Sequence, residues 1–193
     1  MDYLQTLHSA IEEKSKKPNS ETIYSALLNA EKENRKHNIK YDFHQLLGNW
    51  RLIFITGTKS SQQKMGGLLG KGFYIPPFAK ITISYTKDVN SSTILQGKVN
   101  NKVNVGLVNF LVSGPIKYIE KRNILAFDFN HLSMSLLGNQ LYEQDIRSGV
   151  KSEEEFYQNN INKQAFFSYF LVTEKFIAAR GRGGGLALWK KIK

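Results

Sequence analysis

Cysteine is absent from this 193-residue chain, so neither a disulfide nor a thiolate metal site is open to it. No run approaches the roughly 20 apolar residues that span a bilayer as a helix. A secretory start is missing too: Asp2 stands where positive charge belongs, and Glu12 and Glu13 follow without an apolar core. The histidines are His8, His37, His44 and His131, isolated from one another and without metal-ligand spacing, so no metal is expected. There is no Gly-x-Ser-x-Gly elbow, and the common nucleophile signatures fail. Glu153-Glu154-Glu155 reads as a solvated helix start rather than an acid/base pair. Gly181-Arg182-Gly183-Gly184-Gly185 has no Walker spacing, and a strand-like run follows it, which excludes phosphate and dinucleotide loops. A single Arg-Gly-Arg-Gly-Gly copy between apolar runs is not an RNA-binding tail either. No cofactor, catalytic residue or nucleic-acid partner is expected.

What is present is globular: 41% hydrophobic and 12% aromatic residues, enough for one domain with a small appendage. Net charge is +11, placed unevenly. Residues 1–41 hold seven Lys/Arg and six Asp/Glu, whereas residues 42–193 hold twenty and ten. Such a balance draws a domain to anionic partners or keeps it soluble.

Two amphipathic helices open the chain. Leu4, Leu7 and Ile11 make one stripe; after a break at Pro18-Asn19-Ser20, with Ser20 as N-cap, Ile23, Tyr24, Leu27, Leu28 and Ala30 make another up to about His37. Asp42 and Gln45 have capping-box spacing, which predicts a further helical turn over Asp42–Leu47. From Trp50 the period changes to strands: 50–56, 78–86, 93–100, 102–112, 115–121, 123–131, 166–173, 176–180 and 185–190, with tight turns at Asn100-Asn101 and Arg122-Asn123. The spacing suits an antiparallel meander, hence a barrel or a sandwich. Leu52 and Phe54 share one face and Ile53 and Ile55 the other, so these strands are read as lining an apolar interior while covered outside by the N-terminal helices. The expected division is residues 1–41, helical and packed on the barrel, and 42–193, the β domain. Leu141–Asn162 reads as a long polar connection with a short helix near Ser152.

The connection Lys59–Pro77 carries Met65, Leu68, Leu69, Phe73, Tyr74 and Ile75 among glycines, flanked or interrupted by Lys59, Lys64, Lys71 and Lys80. It reads either as a lid over a hydrophobic ligand or membrane surface, or as a plug that fills the barrel. Phe127 and Phe129, on the 123–131 strand, are the candidate cavity residues beside Met65, Leu68, Leu69, Phe73 and Tyr74 of this connection.

Gly48-Asn49-Trp50 resembles the Gly-x-Trp of lipocalins and their relatives. Leu46-Leu47-Gly48-Asn49-Trp50-Arg51-Leu52-Ile53-Phe54 and Arg180-Gly181-Arg182-Gly183-Gly184-Gly185-Leu186-Ala187-Leu188 are similar to the opening and closing segments of the plastid-lipid-associated (fibrillin) family. Arg182 stands where that family commonly has Asp. The resemblance implies a mainly β fold: a lipocalin-like antiparallel barrel of about eight or nine strands behind two N-terminal helices. It implies Trp50 with Arg180, or alternatively Arg182, as the barrel-closing pair beside Gly48. It also implies binding or carriage of a hydrophobic small molecule (isoprenoid, carotenoid, quinone or acyl lipid), without enzyme activity, at photosynthetic membranes or lipid bodies. Without a transit peptide, a cyanobacterial cytoplasm or thylakoid surface, or a plastid-encoded protein, is the expected location, with an anionic membrane surface as peripheral partner. The alternative is a lipocalin-like chromophore lyase or isomerase, using Asp128, Tyr118 and an arginine as a polar set inside the barrel. A scaffold working through its N-terminal helices is the third reading.

Overall fold

The structure, a computed structural model, describes residues 2–13, 15–57, 71–88, 95–146 and 150–193. Helices α1 (Tyr3–Ile11), α2 (Ser20–His37) and α3 (Phe43–Leu46) precede strands β1 (Gly48–Ile55), β2 (Phe73–Tyr74), β3 (Ala79–Lys87), β4 (Gln96–Val105), β5 (Val108–Ile119), β6 (Ile124–Phe127), β7 (His131–Leu136) and β8 (Asn139–Asp145). Helix α4 (Val150–Gln158) leads to β9 (Ala165–Val172), β10 (Phe176–Gly181) and β11 (Leu186–Ile192). Asn19 rather than Ser20 caps α2, and Asp42 with Gln45 forms the expected capping box on α3.

The sheet runs β4-β3-β1-β11-β10-β9-β6-β5, and a β4–β5 pairing closes it into an antiparallel barrel. The first and last strands pair through Trp50 opposite Lys191 and Leu52 opposite Trp189. A bulge at Ile53 then turns Phe54 to the outer wall and Ile55 to the interior. The expected pairing of Leu52 with Phe54 on one face is therefore corrected: one inserted residue reverses the alternation. The outer wall so formed, with Phe54, Phe170, Phe176, Ala178, Leu186 and Leu188, is covered by Leu7, Ile11, Ile23 and Leu27 of α1 and α2. Arg180 bonds both carboxylate oxygens of Glu31 on α2, which raises its pKa further, and donates to Gly184 O.

The interior is filled. Trp50, Tyr85 and Tyr169 are fully buried, the two tyrosine hydroxyls meet at 2.8 Å, and burial drives both of their pKa values well up. One end is plugged by the segment before β1. Phe43 stacks on Tyr118 at 5.7 Å, and Trp50 Nε1 donates to Leu46 O at 2.7 Å. Asn123 holds this plug in place. At φ 52 it occupies the left-handed region, which Asn tolerates, after the short 3-10 turn Glu120–Arg122. Its Nδ2 donates to Ile39 O at 2.7 Å and its Oδ1 accepts from Tyr41 N at 3.1 Å, while Tyr118 Oη donates to Tyr41 O at 2.9 Å.

One turn and one strand differ from the expected ones. Asn100 and Asn101 lie inside β4, paired with Ser84 and Ile83, because Gly106-Leu107 takes the turn. The single strand expected over 123–131 breaks into β6 and β7, which pair with successive halves of β5. The break crosses Gly114, where a Cβ would sit 2.3 Å from Asp128 O. The β7–β8 hairpin falls partly on what the sequence presents as a polar connection.

Asn123→Ala should cost about 2–4 kcal/mol in urea unfolding, since it strains the backbone and leaves buried groups unpaired. Asn123→Gly keeps the conformation, so its smaller loss isolates the side-chain bonds. Equal stability of both variants with the parent would show that the plug is held otherwise.

Candidate functional site at the open end of the barrel

The residues expected as the closing set, Gly48, Trp50, Arg180 and Arg182, do not come together as a pair or a cluster. Gly48 has φ 115, which only glycine takes readily, and places β1 against both β3 and β11. Trp50 points inward, and the cation over its ring is Lys191, 5.1 Å from the centroid. Arg180 lies on the outer face with Ala178 and binds α2, so strand alternation separates it from Trp50. Arg182 Nη1 donates to Gln164 O at 3.2 Å across the opposite, unplugged end.

Of the expected ligand-binding residues, Met65, Leu68 and Leu69 lie outside the described residues, as do Lys59 and Lys64. Phe73 is exposed on the two-residue strand β2. Tyr74 belongs to the outer wall. Its ring meets Phe54 edge-on, its hydroxyl donates to Pro18 O at 2.8 Å, and burial pushes its pKa up to about 12. Phe127 and Phe129 do meet, at 5.4 Å, with Phe127 stacked on Phe167 at 5.1 Å. They roof the filled interior at its open end.

Beside that roof lies an open cleft of ≈ 720 Å³, within the usual range for small-molecule sites. Phe127 and Phe156 give it apolar walls, and Lys163, Arg182, Asp128 and Glu155 give it charge of both signs. Its outer wall is fixed by Lys117, whose Nζ donates to Phe156 O at 2.9 Å and Asn159 O at 2.7 Å at the C-terminal end of α4. Burial lowers the Lys117 pKa. Gln164 Nε2 adds a bond to Phe156 O at 2.6 Å.

Past the rim, β3, β4, β5, β7 and β8 continue as an overhanging sheet with two unlike faces. Cross-strand partners share a face. The row Val103–Phe110–Met134–Tyr142 therefore continues the interior face, as does Val105–Val108–Leu136. The other face is mostly polar: Asn104–Asn109–Ser135–Gln140, Lys102–Leu111–Ser133–Glu143 and Asn100–Ser113–His131–Asp145. The apolar side is not fully covered, with Val105, Phe110 and Tyr142 each more than 40% exposed. At the apices stand Leu107, 62% exposed, and Leu137, 66% exposed. Leu137 sits at φ 53, a conformation that costs a non-glycine residue roughly 1–2 kcal/mol. The sequence signal for these apices is the glycine of each pair, Gly106 and Gly138, between apolar alternations; Leu at the partner position is outside the usual two-residue hairpin preferences.

The polar set proposed for a lyase or isomerase is not brought together. Tyr118 gives its hydroxyl to the plug at the closed end, whereas Asp128 lines the cleft at the open one. Among the described residues, no helix is long and apolar enough to cross a membrane. No family model matches this chain, and no match is found among curated proteins.

On the polar face His131 lies between Asp145, 2.9 Å from Nδ1, and Glu143, 3.0 Å from Nε2. The Asp145 hydrogen bond first, and Glu143 second, raise its pKa above the ordinary 6.5. A raised folded pKa stabilises the β7–β8 pair fully below pH 6.5, and that support is lost as pH rises through the folded value. An NMR titration should place the His131 midpoint above 6.5 and bring it down in Asp145→Asn; a midpoint at 6.5 in both would show the pair does not form in solution.

Proposed function

We propose that the protein binds a hydrophobic small molecule at the open end of its barrel and carries it at the surface of an anionic membrane. The observation that carries this reading is the interior-facing apolar surface, which runs past the rim partly exposed beside a ≈ 720 Å³ cleft that Lys163, Arg182, Asp128 and Glu155 line. The bore is occupied by Trp50, Tyr85, Tyr169 and Trp189, so the ligand lies at the mouth rather than deep inside. Its apolar part rests on Phe127, Phe129 and the overhang, where buried area contributes roughly 25 cal/mol per Å². A polar head reaches the cleft cations.

Isoprenoid, carotenoid, quinone and acyl lipid all have this division into chain and head. The end segments around Trp50 and Arg180, with their likeness to plastid-lipid-associated proteins, favour photosynthetic membranes or lipid bodies as the setting. The twenty basic against ten acidic residues of 42–193 support attraction to anionic lipid. Binding without turnover is favoured over a lyase or isomerase because the hydroxyl of Tyr118 is already committed to the plug.

Organic extraction and native mass spectrometry of the purified protein should reveal a copurified hydrophobic molecule. Ala165 is exposed and lines the cleft opposite Phe127, so Ala165→Trp should fill the space and lower occupancy at least tenfold with the fold intact. A parent protein that carries nothing, and extracts nothing from membranes, would overturn the reading.

A further inference from the structure

We infer that the two adjoining hairpin apices, Gly106-Leu107 and Leu137-Gly138, are a membrane-insertion device that docks the open end of the barrel on an anionic bilayer. The inference rests on the proposed function above and names the contact by which the ligand site meets its membrane.

The apices form one platform. Leu137 N donates to Leu107 O at 3.1 Å, tying the β7–β8 turn to the β4–β5 turn. Both leucines are more than 60% exposed, and Phe78, beside the start of β3, is 72% exposed. No charged residue occurs over 103–109 or 132–142. The platform is thus apolar and neutral at its outermost point.

The conformation at the second apex argues that Leu137 serves something other than folding. A two-residue hairpin turn with positive φ at both positions selects Asn-Gly or Asp-Gly. Here φ is 53 at Leu137 and 85 at Gly138, and the strained position carries a large apolar side chain pointed at solvent. Local preference has been set aside to hold a leucine at an apex.

Charge distribution selects the occupant. Behind the neutral tip the first charges on β3 and β4 are cations: Lys80, opposite Asn104, and Lys102, opposite Thr82, both exposed on the polar face; the first charge on β8, Glu143, lies in the row of Lys102 and is met by His131 Nε2 at 3.0 Å. At roughly 3.3 Å per residue they stand about 7 and 13 Å behind Gly106. Interfacial elements bury their apolar part about 5–10 Å deep, which brings these ammonium groups to headgroup level on flexible stems. A neutral apolar tip followed by lysines fits an anionic bilayer; a second copy of this chain would bring the same lysines towards one another.

The test is partition of the full chain onto vesicles of phosphatidylcholine with about one third phosphatidylglycerol, at low and high salt. Leu137→Asn relieves the backbone, so thermal stability should hold or rise while partition falls at least tenfold. Leu107→Asn should act in the same direction, and high salt or pure phosphatidylcholine should weaken the parent. Unchanged partition in both variants would overturn the inference. So would a parent dimer, seen by sedimentation, that Leu137→Asn dissociates without changing partition. Ligand uptake from detergent micelles needs no bilayer: if it persists where partition is unaffected by the variants, the docking device fails and the ligand site stands. If uptake is absent while the variants lose partition, the reverse holds.

Discussion

Asn123 decides which end of this barrel is available. Because it tolerates the left-handed turn between β5 and β6, it can direct its carboxamide at Ile39 and Tyr41 and fasten the pre-barrel segment across one opening. Trp50 completes the seal from within by bonding Leu46, with Phe43 and Tyr118 stacked beside it. These are buried polar groups, each with a partner, in an otherwise apolar plug, so the loss of one leaves its partners unpaired. With that end sealed and the bore filled by aromatic rings, the proposed ligand site falls at the opposite rim.

The same wall serves two cores because β1 changes face. The bulge at Ile53 sends Phe54 out to the helices and Ile55 in, so α1 and α2 cover the half of the barrel built from β1 and β9 to β11. Among the described residues, the other half, β3 to β5, is met by a helix only where α4 packs on β5 at Lys117, and it runs past the rim, where β7 and β8 extend it. The proposed docking surface is the apolar side of this amphipathic sheet, which is left partly exposed. The ionic contacts nearby are structural: Lys117 fixes α4, Arg180 fixes α2, and His131 ties β8 to β7.

Much of the frame was legible in the sequence. Amphipathic periodicity located both helices, the capping box placed α3, and strand composition with the Gly48-Asn49-Trp50 and Arg180–Leu188 segments indicated barrel closure. Three things were not legible. A bulge is one inserted residue and leaves alternation locally intact, so the reversal at Phe54 depends on pairing with β11. The role of Arg180 depends on Glu31, which is 149 residues away in the chain. The β7–β8 hairpin was masked by Gln, Glu and Asn on its polar face, and Leu137 is a residue that turn rules would not place at positive φ. At the candidate site, alternation singled out Phe127 and Phe129, which the structure places in contact with each other. Arg182 was seen as a closing residue, not as a wall of the cleft.

The molecule thus divides into a sealed end, which carries stability, and an open end, which carries the apolar overhang, the charged cleft and the leucine apices. Hydrogen–deuterium exchange of the full chain, free and bound to anionic vesicles, tests that division most directly. Added protection is expected over 103–110 and 132–142 and around the cleft at 163–165 and 182, with none over 39–50 or 118–124. Protection centred on 39–50, with 103–110 and 132–142 unchanged, would contradict it.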